Sequence, residues 1–335
     1  MSEPVLAAPP RSGFSVRYEP IGQSDPDNTV LAEVVFGAPP SGAALPVHSG
    51  FELWARSDLL PERGALAEIW RSAGPVRRGV DGSVRFAEDT THLFGLIEID
   101  ERDAGSIGKA SELAYAEIVR FMRDRPHASI VRYWNYFSRI NEGLGDDERY
   151  RHFCTGRALG LGDFVVEHLP AATAIGRQDD SSILQVYWLA AQRPGQHIEN
   201  PRQVSAYRYP RRYGPTSPSF SRAHLLPEGR LLISGTASVV GHESHHVGDL
   251  PAQFRETDSN LTSLIQAARC FSDRLPARFG GGGLLKVYLR DHNDLAQTVD
   301  LMSRFPETPW IILGGDICRA DLLIEIDGIH GPTQP

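Results

Sequence analysis

Apolar residues recur along this chain with two periods, and the switches between them mark its elements. From Thr91 the segment HLFGLIEID reads as a strand, and Lys109 to Arg123 carries Leu113, Ile118, Phe121 and Met122 at helical spacing. A strand (SIVRYWNYF), a helix from Glu148 to Arg157 and another strand (ILQVYWLAA) follow. The order then repeats. Gly229 to Val240 predicts a strand, Gln253 to Leu275 a helix with Phe254, Leu261, Leu264, Ile265, Ala268 and Phe271 on one side, and Leu284 to Arg290 a strand. A helix over Asp294 to Phe305 and the strands PWIIL and DLLIEIDGI complete the second unit. Two copies of a strand, helix, strand, helix, strand unit predict an internally duplicated α+β protein.

The pattern lapses in two places. Residues 1 to about 45 are rich in Pro, Gly, Ala and Ser, with LAEVVFG at Leu31 to Gly37 the one strand-like piece, so an extended arm is expected there. Between the units, QHIENPRQVSAYRYPRRYGPTSPSFSRA has no Asp or Glu from Pro201 to Pro227, yet it holds Arg202, Arg208, Arg211, Arg212 and Arg222 among Tyr207, Tyr209, Tyr213 and Phe220. Guanidinium forks bind carboxylates bidentately and stack on rings, which suits a small planar anion. The expected organisation is an arm and irregular region over 1–90, a first half over 91–195, an Arg- and Tyr-rich connector over 196–228, and a second half over 229–335.

Composition narrows the partners of that cationic segment. The chain of 335 residues has a formal charge of -8, which argues against general binding to nucleic acid or an anionic membrane. Its cysteines, Cys154, Cys270 and Cys318, are odd in number and far apart, giving no disulfide framework and no cysteine metal motif. The start, MSEPVLAAPPRSG, lacks the basic and apolar regions of a secretory signal, and no apolar run is long enough to span a bilayer, so a cytoplasmic protein is expected.

A few residues stand out as candidate chemistry. In DLLIEIDGI, strand alternation puts Leu322, Ile324 and Ile326 on one face and Leu323, Glu325 and Asp327 on the other. If that second face is buried, Glu325 has a raised pKa and can deliver a proton; if it is solvated, Glu325 and Asp327 are ordinary surface acids. Lys286 shares a face of LLKVYLR with Tyr288 and Arg290, fitting either an anion anchor or an exposed sheet face. Arg157, in HFCTGRA, is a helix-end cation or an anion ligand. GHESHHVG groups His242, His245 and His246, but its flanking glycines and lack of helical pattern favour a loop over a metal site. Gly280 to Gly283 precede a strand rather than a helix, which disfavours a phosphate loop. Cys318, in GDICRAD, has no His near it in sequence and reads as a small pocket-lining side chain.

Taken together, ENPRQVSAYRYPRRYGPTSPSFSRA, LLISGTAS, GHESHHVGD, LKVYLRD and DICRADLLIEID resemble the chorismatase family over about Thr91 to Gly328. Separately, Leu231 to Gly328 resembles the Rid/YjgF fold. The resemblance implies two Rid/YjgF-like (chorismate mutase-like) halves in one chain, with the active site beside the second. It implies chorismate as substrate, bound through its two carboxylates by Arg157, Arg222 and Lys286, with Tyr209 and Tyr213 around the ring. It gives Glu325 the role of protonating the enolpyruvyl methylene. Gly235 and Cys318 stand where the branch forming 3-hydroxybenzoate has glycine and cysteine, whereas the branch hydrolysing chorismate to a dihydroxycyclohexadienoate tends to have alanine and lacks the cysteine. The resemblance is closest to the branch associated with xanthomonadin pigment, which also makes 4-hydroxybenzoate. No metal, redox or nucleotide cofactor is implied, and a monomer is expected. A Rid-like imine hydrolase and a non-catalytic binder of aromatic acids are the alternatives. Within the connector, Arg222 is expected to meet substrate, while Arg208, Arg211 and Arg212 hold the segment against the protein.

Overall fold

The computed structural model describes residues 13–20, 28–36, 52–55, 66–127, 129–163 and 166–333. Strands β1 (Phe14–Pro20), β2 (Val30–Phe36), β3 (Glu52–Ala55) and β4 (Leu66–Ser72) form a sheet in the order β1-β4-β2-β3. The expected arm and irregular region therefore gives way, within its described part, to a sheet. Its ladder joins Phe14 to Ser72 across a long stretch of chain, and such non-local pairing leaves little trace in local composition. The remainder of the expected arm lies outside the described residues.

The first repeated unit contains β5 (Arg77–Asp81), β6 (Val84–Glu88), β7 (His92–Asp100), α1 (Glu101–Ala104), α2 (Ile107–Met122), β8 (Ser129–Ser138), α3 (Arg149–Leu161), β9 (Ala171–Arg177) and β10 (Ile183–Ala191). The connector opens with β11 (Gln196–Ile198) and closes with β12 (Ala223–Leu225). Then come β13 (Leu231–Ala237), β14 (Val239–Val240), β15 (Glu243–Ser244), α4 (Leu250–Arg269), β16 (Leu284–Leu289), α5 (Leu295–Met302), β17 (Trp310–Gly314), β18 (Asp316–Ile317) and β19 (Ile324–His330). The two large sheets share one topology. The first runs β5-β6-β7-β10-β8-β9 with β8 and β9 parallel; the second runs β11-β12-β13-β19-β16-β17 with β16 and β17 parallel. The duplication read from periodicity is thus a duplication of fold, although each sheet starts earlier in sequence than the pattern placed it.

The sheets meet face to face, with helices outside. Phe94, Trp134, Tyr136, Ile175 and Tyr187 of the first sheet pack against Leu232, Tyr288, Leu313 and Ile329 of the second, and Leu31, Val34 and Trp70 of the N-terminal sheet join this core. α2 and α3 cover the outer face of the first sheet, and α4 and α5 that of the second. One short strand crosses between them: β18 pairs with β9 and extends the first sheet with residues of the second unit.

Helix boundaries follow their caps. Ser106 accepts the Lys109 N–H at the start of α2, and Asp249 accepts the Ala252 N–H at the start of α4. Leu113 and Phe271, read as core positions, are exposed, the latter because α4 ends at Arg269. α3 continues beyond its expected end, so Arg157 lies inside a helix rather than at its terminus. It is buried there because α3 lies tight on α2: a Cβ at Gly156 would collide with the Gly108 carbonyl, and one at Gly160 with the Glu112 carbonyl.

Candidate active site

The site forms where β13 and β19 face β9 across the seam between the sheets. β19 alternates as expected: Ile324 and Ile326 enter the helix-side core, while Glu325 and Asp327 point into the seam and are buried. Opposite them β13 carries a bulge, since Ile233 pairs with Gly328 and Thr236 with Ile326, leaving Ser234 and Gly235 opposite Asp327. A side chain at Gly235 would collide with Glu325 Oε1. The bulge and its glycine make the space that the carboxyl occupies.

No described residue donates a hydrogen bond to the Glu325 carboxyl. Burial, reinforced by the charge of Asp327, raises its pKa to about 8, against the opposing pull of Arg132, Arg222 and Arg290. The solvated-face alternative is thereby removed. Glu325 opens onto two connected spaces. A small inner pocket is lined by Arg157, Cys154, Tyr150, Thr173 and Asn135, and a wide cavity of about 650 Å³ by Tyr209, Tyr213, Arg222, Arg319, Phe220 and Val239; Gly235, Cys318 and Glu325 border both.

Each space has its own cation. Arg157 stacks over Tyr115 and Tyr133, 5.0 and 5.3 Å from their ring centres. Its Nε and Nη2 are buried without hydrogen-bond partners, a costly arrangement that an anion in the inner pocket would relieve. Arg222 donates through Nη2 to the Val204 carbonyl at 2.7 Å and to the Tyr209 hydroxyl at 2.8 Å, while its Nε has no partner. Tyr209 and Tyr213 lie 5.2 Å apart, and Arg319 sits 4.5 Å from the Tyr213 ring centre, held by the His242 carbonyl at 2.8 Å. Arg319 is a site residue that the sequence reading passed over, although it adjoins Cys318.

Among the other arginines of the connector, Arg202, Arg211 and Arg212 fasten it to the rest of the protein, whereas Arg208 contacts the connector itself. Arg211 pairs with Asp146 at 2.6 Å and Arg212 with Glu243 at 2.6 Å, while Arg208 lies over the ring of its neighbour Tyr207. Arg212 also contacts His242, which ties the connector to the β14–β15 hairpin at the cavity mouth. In the same loop His246 lies 3.2 Å from Glu256, and no group of three His, Cys, Asp or Glu among the described residues is placed to hold a metal. Cys318 follows β18, in a loop that Arg290 fixes through Asp316 and the Ile317 and Arg319 carbonyls. Burial, then Glu325, pushes its thiol up to about 12, so it borders the site as a neutral thiol.

Lys286 corrects the expectation of a third anion anchor. Its strand face is neither exposed nor open to the cavity but faces the core between the sheets, where Nζ lies 3.3 Å from Glu68 and 3.8 Å from Asp327. These are ion-pair distances without hydrogen-bond geometry. Burial alone would lower the ammonium pKa, but Asp327 and Glu68 hold it above its ordinary value. Lys286→Met should destabilise the protein by about 3–5 kcal/mol by stranding buried carboxylates, without weakening ligand binding at the cavity; thermal unfolding and ligand titration check this.

Comparison with known proteins agrees with this geometry. Residues 68–190 match the family model described as chorismatase FkbO/Hyg5-like, N-terminal. The chain is 34% identical to a 3-hydroxybenzoate synthase of Streptomyces hygroscopicus over 81% of its own length and 83% of that protein's. It is 34% identical to a chorismatase of Streptomyces rapamycinicus over 96% of its length and 99% of that protein's. A crystal structure of a chorismatase superposes with a TM-score of 0.84 at 30% identity, covering 96% of this chain and 99% of that one.

Proposed function

The chain belongs to the chorismatase family of enzymes, and we propose that it converts chorismate to 3-hydroxybenzoate and pyruvate with Glu325 as the proton donor. The observation that carries this reading is a carboxyl group held largely protonated at neutral pH, pKa about 8, between an inner pocket with the Arg157 guanidinium and a cavity with those of Arg222 and Arg319. Chorismate carries one carboxylate on its ring and one on its enolpyruvyl ether. Arg157 would take one at the inner end, Arg222 and Arg319 the other toward the mouth, with Tyr209 and Tyr213 beside the ring.

Glu325 would give its proton to the enolpyruvyl methylene, leaving an oxocarbenium-like ether carbon. The atoms of chorismate equal those of hydroxybenzoate plus pyruvate, so the ring–ether bond must break without water being consumed. The neighbouring ring hydroxyl is the internal nucleophile: its oxygen attacks the ether-bearing ring carbon as pyruvate leaves, and its proton returns to the Glu325 carboxylate. Opening of the resulting three-membered ring with loss of the ring proton aromatises the product to 3-hydroxybenzoate. Loss of the proton from the hydroxyl-bearing carbon instead gives 4-hydroxybenzoate from the same protonated ether. Water reaching the oxocarbenium carbon would give the dihydroxycyclohexadienoate. Cys318, Phe220 and Ala237 favour the internal route by presenting few hydrogen-bonding groups to water.

Chromatography of a chorismate reaction, with pyruvate measured in parallel, tests the whole reading; absence of pyruvate would refute it. The alkaline side of the profile follows from Glu325. Its active form is protonated, so kcat/KM should fall as pH rises through about 8, and a flat profile to pH 10 would argue against it as the acid. Gly235→Ala drives a Cβ against Glu325 Oε1, and displacing the carboxyl should cost about tenfold or more in kcat while increasing the share of diene product. An unchanged product ratio counts against the steric role.

A further inference from the structure

Thr173, an unremarkable threonine on β9 of the first sheet, meets the bulge facing Glu325 through the Gly235 N–H. Its hydroxyl is fully used. It accepts from Arg132 Nη2 at 2.5 Å and from the Gly235 N–H at 3.0 Å. Both of those groups are donors, so the Thr173 proton must go to its third neighbour, Asp327 Oδ2, at 2.8 Å. The other bulge residue is tethered to the same strand, because the Ala172 N–H donates to Ser234 Oγ at 2.8 Å. Asp327 Oδ2 also accepts from Arg132 at 2.9 Å and Tyr288 at 3.2 Å, while its Oδ1 has no hydrogen-bond partner.

We propose that Thr173 is a positioning residue of the reaction: by holding the Gly235 bulge and Asp327 in one arrangement, it keeps the Glu325 carboxyl clear of the β13 backbone and aimed into the cavity. This rests on Glu325 being the proton donor. The bulge leaves Gly235 without a ladder partner, so Thr173 Oγ1 is what occupies its N–H. Remove the hydroxyl and that N–H becomes a buried orphan beside the Glu325 carboxyl, where it is free to bond the carboxyl itself. A carboxyl tied to a backbone donor loses both its aim and its affinity for the proton. The other groups facing Glu325 are Asp327 on its own strand, Arg132 on β8, Tyr150 and Arg157 on α3, Arg222 of the connector, Cys318 of the crossing loop and Arg290 just after β16. None of them bonds the Gly235 N–H.

The test compares Thr173→Val, which keeps the shape and removes the hydroxyl, with Thr173→Ser, which restores it. In Thr173→Val, kcat for pyruvate release should fall about 10- to 100-fold while KM for chorismate changes less than about threefold. The alkaline limb of its kcat/KM profile should move to lower pH by on the order of half a unit or more, because a new donor favours the charged carboxylate. Thr173→Ser should recover kcat to within about threefold of the parent. A folded Thr173→Val enzyme with parental kcat and an unmoved limb overturns the proposal. If that variant does not fold, Thr173→Ala gives the same reading, and parental kcat in it overturns the proposal equally. Should Glu325→Gln remain active, the assignment of the proton donor fails; should Glu325→Gln be inactive and Thr173→Val normal, only the positioning role fails.

Discussion

Glu325→Gln is expected to reduce pyruvate release from chorismate by about 100- to 10,000-fold, the span over which a positioned general acid acts, with chorismate still bound. The amide keeps the size of the carboxyl group and removes its proton. The same substitution should change stability in the opposite direction. Glu325 has a pKa of about 8 in the folded protein against an ordinary 4.5. Between those values the native state holds a proton that the unfolded chain has released, so this group's contribution to stability falls as pH rises from 4.5 through 8. Glutamine has no such penalty. Glu325→Gln should therefore unfold at a higher temperature than the parent at pH 9 and at a similar one at pH 4, by thermal melts at both. A variant that is inactive and also less stable at pH 9 would instead identify Glu325 as a structural group.

Arg157→Leu carries the second large effect. Truncating one side of a buried, hydrogen-bonded charge pair costs about 2–5 kcal/mol of binding, so KM for chorismate should rise by roughly 30-fold to several thousand-fold. Without ligand, the parent keeps a desolvated guanidinium with two unpartnered nitrogens between Tyr115 and Tyr133. Replacing it with an apolar side chain should leave the melting temperature unchanged or raise it. Steady-state kinetics and calorimetry on one preparation decide the matter: a lowered melting temperature with an unchanged KM would make Arg157 a packing residue. Arg157→Lys keeps the charge but loses the planar fork, and should fall between parent and Leu in KM.

How far the sequence revealed this site depended on whether a residue's neighbours were local. Glu325 was legible because alternation in DLLIEIDGI assigns its face without reference to anything else. Lys286 obeyed the same alternation and was still misplaced, because the pattern says which residues share a face and not what lies opposite. What lies opposite is Glu68, from the N-terminal sheet, and that sheet was itself concealed by the proline- and glycine-rich sequence around it. Arg157 was ambiguous for a similar reason. Its burial comes from the close approach of α2 and α3 permitted by Gly108, Gly156 and Gly160, and helical periodicity does not report how near two helices come. Thr173 gave no signal at all, since one threonine in an apolar strand is ordinary and its meaning comes from a bulge in another sheet.

By itself, then, the sequence determined the duplicated α+β order, the cationic aromatic connector and the strand face bearing Glu325, because periods of two and 3.6 residues and local composition are properties of short segments. Tertiary structure decided that the Glu325 face is buried, that Arg157 and Arg222 rather than Lys286 reach the open space, and that Gly235 makes room for the carboxyl. The first depends on how the two sheets meet, the second on how helices and strands from distant segments pack, and the third on a bulge in the pairing of β13 with β19, and no local period encodes any of these.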